Sequence, residues 1–377
     1  MLPVLSHLFN IINMIDKYIV ILFAFLCFSC VHTNSSSTEN IVLTGKISKE
    51  LVLNDLFEEF EYISLETSKE SIFGEIRKLI IYKNRFYIHD SQLKKIFVFH
   101  FDGTFVNEIG RIGRGPGEYS HFEDFAIDEE NNRIIILGYP STFYVYDLDG
   151  KYIMQKQFMS IPVWNFCSYK DGFICSNNHQ SFSKNKESLV FLLDKDFNLK
   201  SEMGKSLINN SIPPFISYPF LKDGESIYYF DNFKSIIFLI NTTNPKKSES
   251  INFVLPSPIP LDVLSDPQRF FSNQANYSFF INAFLYDNIL WAWFANQGPP
   301  PCILVMDLKN KNHTLAKYKS WFPKIMAEFN GYLYASMNVD WILEEKFIDN
   351  AKKVTKYPID FDSNPIILRF KPKQILK

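Results

Sequence analysis

Beyond about residue 40, short apolar strands broken by polar turns recur in a constant order. The phrase is an apolar strand, an Asn/Asp/Gly turn, an aromatic strand, a polar break, an apolar strand, a second turn and a last strand. It reads first as IRKLIIYKNRFYIHDSQLKKIFVFHFDGTFVNEIG and then as FAIDEENNRIIILGYPSTFYVYDLDGKYIMQKQ, with the Asp-Gly turns at Asp102 and Asp149 lying 47 residues apart. Looser copies follow: FCSYKDGFICSNN with LVFLLDKDFNLKSEM, PFLKDGESIYYFDNFKSIIFLINTTN, FLYDNILWAWFANQ with CILVMDLKNKNHTLAKY, and IMAEFNGYLYASM with PIILRFKPK. Six copies at a period of about 45–50, four short strands each, have the spacing of β-propeller blades. One such unit cannot bury both faces of its sheet; stacking the units round an axis does.

The chain is therefore expected to be all-β, a six-bladed β-propeller of four-stranded antiparallel blades with small helical insertions, over 41–377. The blades are expected at about 74–110, 121–158, 163–204, 215–255, 279–320 and 324–373. The last copy lacks a fourth strand, so a strand within 41–67, from IVLTGKI or FEYISLET, is expected to close the sixth blade and remove an open edge. Two segments break the pattern. PSPIPLDVLSDPQRFFSNQANYS reads as an insertion with a short helix, and DWILEEKFIDNAKKV as an amphipathic helix with Asp340 as N-cap, packed on the last blade.

Composition agrees. Hydrophobic residues are 46%, aromatics 16% with 38 phenylalanines, and charged residues 21%, the balance of a globular chain in which Phe, Tyr and Ile favour strand over helix. The net charge of −2 is spread without long blocks of one sign, which argues against a nucleic-acid partner. The N-terminus reads as an address. MIDKYIVILFAFLCFSC has a short start with Lys17, an apolar run from Tyr18 to Phe28, then Ser29 and Cys30, the form of a secretory signal over 1–30. The upstream residues add no positive charge, so Met14 is an alternative start to Met1. VHTNSSSTEN, 31–40, reads as a polar tether. Cys167 and Cys175 flank SYKDGFI, and the turn register decides whether they can face each other across a hairpin.

The densest candidate chemistry is RIGRGPGEY, Arg111 to Tyr119, between blades one and two. A phosphate loop would lead into a helix and carry a Lys-Ser/Thr pair; here Pro116 interrupts and a strand follows. Two readings stay open. Glycines at positive φ could turn amides inward as an anion nest with Arg111 or Arg114 clamping a carboxylate, or they could let the chain cross while Arg114 pairs with Glu118 and Tyr119 packs. The loop after a fourth strand and the loop between strands two and three open on one face, so that face is expected to gather His89, Asp90, Arg111, Arg114, Glu118, Tyr119, His121, Asn178, His179, Asp231 and Asn296. His89-Asp90, or His121 with Glu123 and Asp124, could supply acid/base or metal-binding groups, or be solvated loop residues. Trp291 and Trp293 share a strand face that could stack on a sugar or fill the space between blades.

IGRIGRGPGEYSHFEDFAID, with FEYISLET and FYIHDSQLKKIFVFHFDGTF before it, resembles the six-bladed β-propeller lipoproteins of Bacteroidetes, relatives of NHL-repeat propellers. The small-residue-then-cysteine ending of the leader likewise resembles a lipobox. The resemblance implies acylation at Cys30, anchoring to the outer membrane of a Gram-negative cell, with the periplasmic side expected because the tether lacks an early acidic cluster. A monomer without cofactor is expected, acting as a noncatalytic binding or scaffolding module for a peptide, glycan or envelope protein. The alternative is an NHL-like lyase or lactone hydrolase with a metal at the central channel, for which seven histidines, His7 and His32 among them outside the propeller, are a thin supply.

Overall fold

The computed structural model describes residues 38–373 except 44–46, 48, 181–187, 208–211, 217, 319–322, 346–351 and 354–355. The leader over 1–30 with Cys30, and the tether as far as residue 37, lie outside the described residues.

Six antiparallel sheets make a six-bladed β-propeller. Blade one is Lys78–Tyr82, Arg85–Asp90, Lys95–His100 and Phe105–Ile109; blade two is Phe122–Asp128, Arg133–Gly138, Thr142–Asp147 and Tyr152–Gln157. Blade three is Asn165–Tyr169, Gly172–Ser176, Val190–Leu193 and Leu199–Met203; blade four is Phe220–Asp223, Ser226–Asp231, Ile236–Leu239 and Glu249–Val254. Blade five is Ser278–Tyr286, Ile289–Asn296, Cys302–Asp307 and His313–Tyr318. Blade six takes Ile325–Phe329, Tyr332–Met337 and Ile366–Pro372 from the C-terminal end and Phe57–Ile63 from the N-terminal end. The first strand of each blade is innermost, and together these strands ring a central channel.

The middle strands are apolar without a break because both faces are covered. In blade two, Ile134, Ile136, Tyr144 and Tyr146 pack against Tyr87, Ile96 and Val98 of blade one. Their sequence neighbours Ile135, Leu137, Phe143 and Val145 point the other way, onto Phe166, Phe173 and Phe191 of blade three. The core is thus a ring of separate layers between blades. Trp291 and Trp293 belong to the layer between blades five and six, where the Phe57 ring lies 5.0 Å from that of Trp291, so they fill core space and form no exposed platform.

The N-terminal chain straps the outside before it closes the ring. Thr38–Val42 pairs in parallel with the outer strand of blade four, and Glu50–Leu51 with that of blade five. The first of these strands starts inside the stretch that reads as tether. The insertion after blade four carries a short helix, Pro267–Asn273, whose N-cap Asp266 accepts from the Arg269 amide at 3.0 Å. The later helix is Val339–Glu345, so Asp340 sits in its first turn and is not its N-cap. Burial of Val339 with Ile342 in the blade layer draws the chain into helical geometry two residues early. The rest of the segment read as this helix lies outside the described residues as far as 351, and Lys352–Lys353 is strand. Cys167 and Cys175 are free. Tyr169 pairs with Gly172 across a two-residue turn, which sets Cys167 opposite Ile174 and Cys175 opposite Phe166, on different faces of the hairpin.

Candidate functional site

RIGRGPGEY folds on itself. Arg111–Ile112 and Glu118–Tyr119 make a two-stranded parallel ladder, and the Gly113 amide donates to the Tyr119 carbonyl at 3.1 Å. The Glu118 carboxylate accepts from Arg111 Nε at 2.8 Å, from Arg111 Nη2 and from the Gly115 amide at 2.8 Å. Those donors, the Gly115 amide foremost, hold the Glu118 carboxyl below its usual range. The loop's own carboxylate thus takes the Arg111 guanidinium and the Gly115 amide. Arg111, not Arg114, is the partner of Glu118, and Arg114 stays exposed. Tyr119 is buried and donates to the Lys94 carbonyl at 2.7 Å, and Tyr146 donates to the Gly117 carbonyl. Gly117 is obligatory: its φ is +74°, and a Cβ there would meet the Tyr152 ring at 2.6 Å.

The other face residues are mostly turned inward. Asp90 is buried and accepts from four backbone amides, Gly74 and Glu75 at 2.9 Å on one oxygen, Gln92 at 2.8 Å and Leu93 at 2.6 Å on the other. It ties the entry of blade one to its central turn. His89 is buried and stacks on Phe122 at 3.8 Å, with both ring nitrogens unpartnered; burial first, then the charges of Arg77 and Lys78, push its pKa down to about 3. His179 and Asp231 form a buried pair at 3.0 Å between blades three and four. His179 Nδ1 accepts from the Leu207 amide at 2.9 Å, so Nε2 carries the proton and donates to Asp231; no lone pair is left for a base. Asn178 donates to Asn165 Oδ1 at 3.0 Å, and Asn296 accepts from Ser278 Oγ at 3.0 Å. His121 is exposed near the Tyr139 ring, away from buried Asp124, so His121 and Asp124 do not converge. Among the described residues no group of three His, Cys, Asp or Glu is placed to hold one metal ion.

What converges is the channel. It encloses about 1020 Å³, and residues at the start of the inner strands stand at its loop-face mouth: Arg77 and Lys78, Asp124, Asn165, Tyr218 and Lys324. Lys78 Nζ lies 2.6 Å from Asp124 Oδ1 and donates to the Phe125 carbonyl at 2.7 Å. The other Asp124 oxygen accepts from the Phe166 amide at 3.1 Å, so one carboxylate joins blades one, two and three. The Tyr218 ring carries Lys78 Nζ at 4.6 Å and Lys324 Nζ at 5.8 Å from its centroid. Its hydroxyl is buried beside the Arg77 guanidinium, and burial raises the phenol far above its ordinary range although the charge and hydrogen bonding of Arg77 act the other way. Lys324 is pushed down, by burial first and by Arg77 second. Below the mouth the wall turns apolar, with Ile80, Ile281 and Met326 on the inner strands.

Arg77, Lys78, Tyr218 and Lys324 stand out in the sequence only when the copies are aligned. Apolar inner strands start at the mouth, and a polar side chain within two residues of that start lines the opening: Lys78 in IRKLIIY, Asp124 in FEDFAID, Asn165 in WNFCSY, Tyr218 in YPFLKD and Lys324 in PKIMAEF.

Residues 38–371 match the family model described as a domain of unknown function, DUF4934. No curated protein matches the chain. Among solved structures, the fold is similar to that of a Bacteroides fragilis protein described as a candidate exported protein, with TM-score 0.69, 14% identity, 90% of this chain and 100% of that one covered. It is also similar to a member of the DUF4221 family from Bacteroides vulgatus, with TM-score 0.55, 12% identity and coverages of 84% and 98%. At such identities the likeness is one of fold.

Proposed function

The chain belongs to the DUF4934 family, and on that premise we propose that it is an exported, envelope-anchored propeller acting as a noncatalytic binding module for a peptide, glycan or partner protein. The observation that carries this reading is the channel of about 1020 Å³, which joins a polar, partly cationic mouth on the loop face to an apolar interior. The residues that suggested chemistry from the sequence are spent on structure: Asp90 on four amides, His179 on Asp231 and Leu207, Glu118 on Arg111 and Gly115. Export and anchoring at Cys30 rest on the leader, and the description of the Bacteroides fragilis protein of similar fold supports export. The periplasmic side is the orientation favoured by the tether.

The test is affinity capture from envelope extracts with the full chain and with Ile281→Trp. Ile281 is 38% exposed and lines the lumen, so an indole there obstructs it. A partner held by the native chain and lost by the variant supports the reading; equal capture by both overturns the channel as the site.

A further inference from the structure

We propose that the loop-face mouth of the channel is a carboxylate site, built by Arg77 and Lys324 around Tyr218, that selects ligands with a monoanionic head and an apolar body. This rests on the channel-binding reading above. Among the described residues, Arg77, Lys78 and Lys324 are the cations that line the mouth. Lys78 is matched by Asp124 at 2.6 Å. Arg77 and Lys324 have no carboxylate within 4.0 Å among the described residues, although each is near enough to feel the other. Glu75, whose charge acts on Lys324, takes a hydrogen bond from Ser91 Oγ at 2.8 Å.

Like charges held together in a half-buried mouth repel, and a bound anion removes that cost. The Tyr218 hydroxyl, buried beside the Arg77 guanidinium, adds a neutral donor at the same place. Asp124 and Glu75 stand near the same cations, and Glu123 lies within reach of the Arg77 charge. A carboxylate brings a single charge to Arg77 and Lys324, whereas a phosphate monoester at about −1.5 to −2 would meet more repulsion from these carboxylates. Beneath the mouth, Ile80, Ile281 and Met326 on the inner strands offer an apolar sleeve. A head that pairs with a guanidinium and an ammonium, followed by an apolar body, satisfies both zones.

Isothermal titration of the full chain with octanoate, 1-octanol, acetate and inorganic phosphate tests this. Octanoate is expected to bind saturably, about ten-fold or more tighter than octanol or acetate, and to weaken as salt rises. Arg77→Gln and Lys324→Met should each lower octanoate affinity about ten-fold while leaving octanol unchanged, with circular dichroism confirming the fold. Equal binding of octanoate and octanol, both lost in Ile281→Trp, would overturn the carboxylate site and leave the channel reading intact. Phosphate displacing octanoate at equal concentration would overturn the monoanion selectivity. Octanoate bound equally by native and Ile281→Trp chains would place its site outside the lumen and overturn the carboxylate site, while the channel reading stands or falls by the capture experiment; no octanoate binding, with a plug-sensitive partner captured, would likewise sink only this one.

Discussion

His89 and Asp90 are neighbours whose burial gives them separate consequences. Asp90→Ala would strip the acceptor from four backbone amides, with a cost of about 2 kcal/mol expected because these partly buried bonds, which tie the entry of blade one to its central turn, are lost together. Urea unfolding checks it, and a loss below about 0.5 kcal/mol would remove Asp90 from the structural role assigned to it. His89 is neutral in the folded state, with its pKa near 3 against about 6.5 unfolded. As pH falls below 6.5 the unfolded chain takes the proton first, so stability is flat above that point and drops by about 1.4 kcal/mol per pH unit below it, down to about pH 3. His89→Phe keeps a ring against Phe122 and removes the proton. Between pH 7 and pH 5 the native chain should lose about 2 kcal/mol more than the variant in urea unfolding; equal losses would mean that His89 does not titrate as described. The sequence placed both residues at the loop face but carried no sign of their burial, because a His or Asp in a turn reads the same whether it faces water or four amides. Arg77 and Lys324 were passed over for the reverse reason: each stands singly beside an apolar strand, and only the ring of inner strands brings them to one mouth.

At the scale of elements, hairpins were legible and straps were not. Asp102, Asp147, Asp194 and Asp307 sit at turns, and each accepts from backbone amides two to four residues on, the Asx geometry that made the turns readable. Thr38–Val42 and Glu50–Leu51 left little trace because each buries one side chain, Ile41 and Leu51, and holds its blade by backbone pairing, which has no sequence signature. Their contribution is edge protection. Deleting 38–51 would uncover the outer strands of blades four and five, each then presenting unpaired amides and carbonyls. The expected outcome is a folded protein whose light-scattering mass rises with concentration while that of the native chain stays constant. Constant mass for the deletion variant would mean that those edges are protected by something other than the strap.

The whole molecule follows from the repeat: six copies that each need two neighbours can satisfy all of them only in a closed ring. That requirement made the architecture readable from six copies at a period of about 45–50, while the identity of whatever enters the channel depends on side chains that the repeat does not constrain. Closure falls at one seam, where Phe57–Ile63 meets Ile366–Pro372 and the Phe57 ring packs 4.7 Å from Phe370 and 5.0 Å from Trp291. Because each layer between blades is shared, losing the seam should weaken every blade together. Phe57→Ala, a buried ring removed from a close-packed layer, is expected to cost about 3–5 kcal/mol. The loss should appear as one cooperative transition, with near-ultraviolet dichroism from the tryptophans and far-ultraviolet dichroism from the strands moving to the same lower urea midpoint. If the tryptophan signal falls first and the strand signal keeps its native midpoint, blade six opens alone, and the ring is held by local packing within blades more than by its closure.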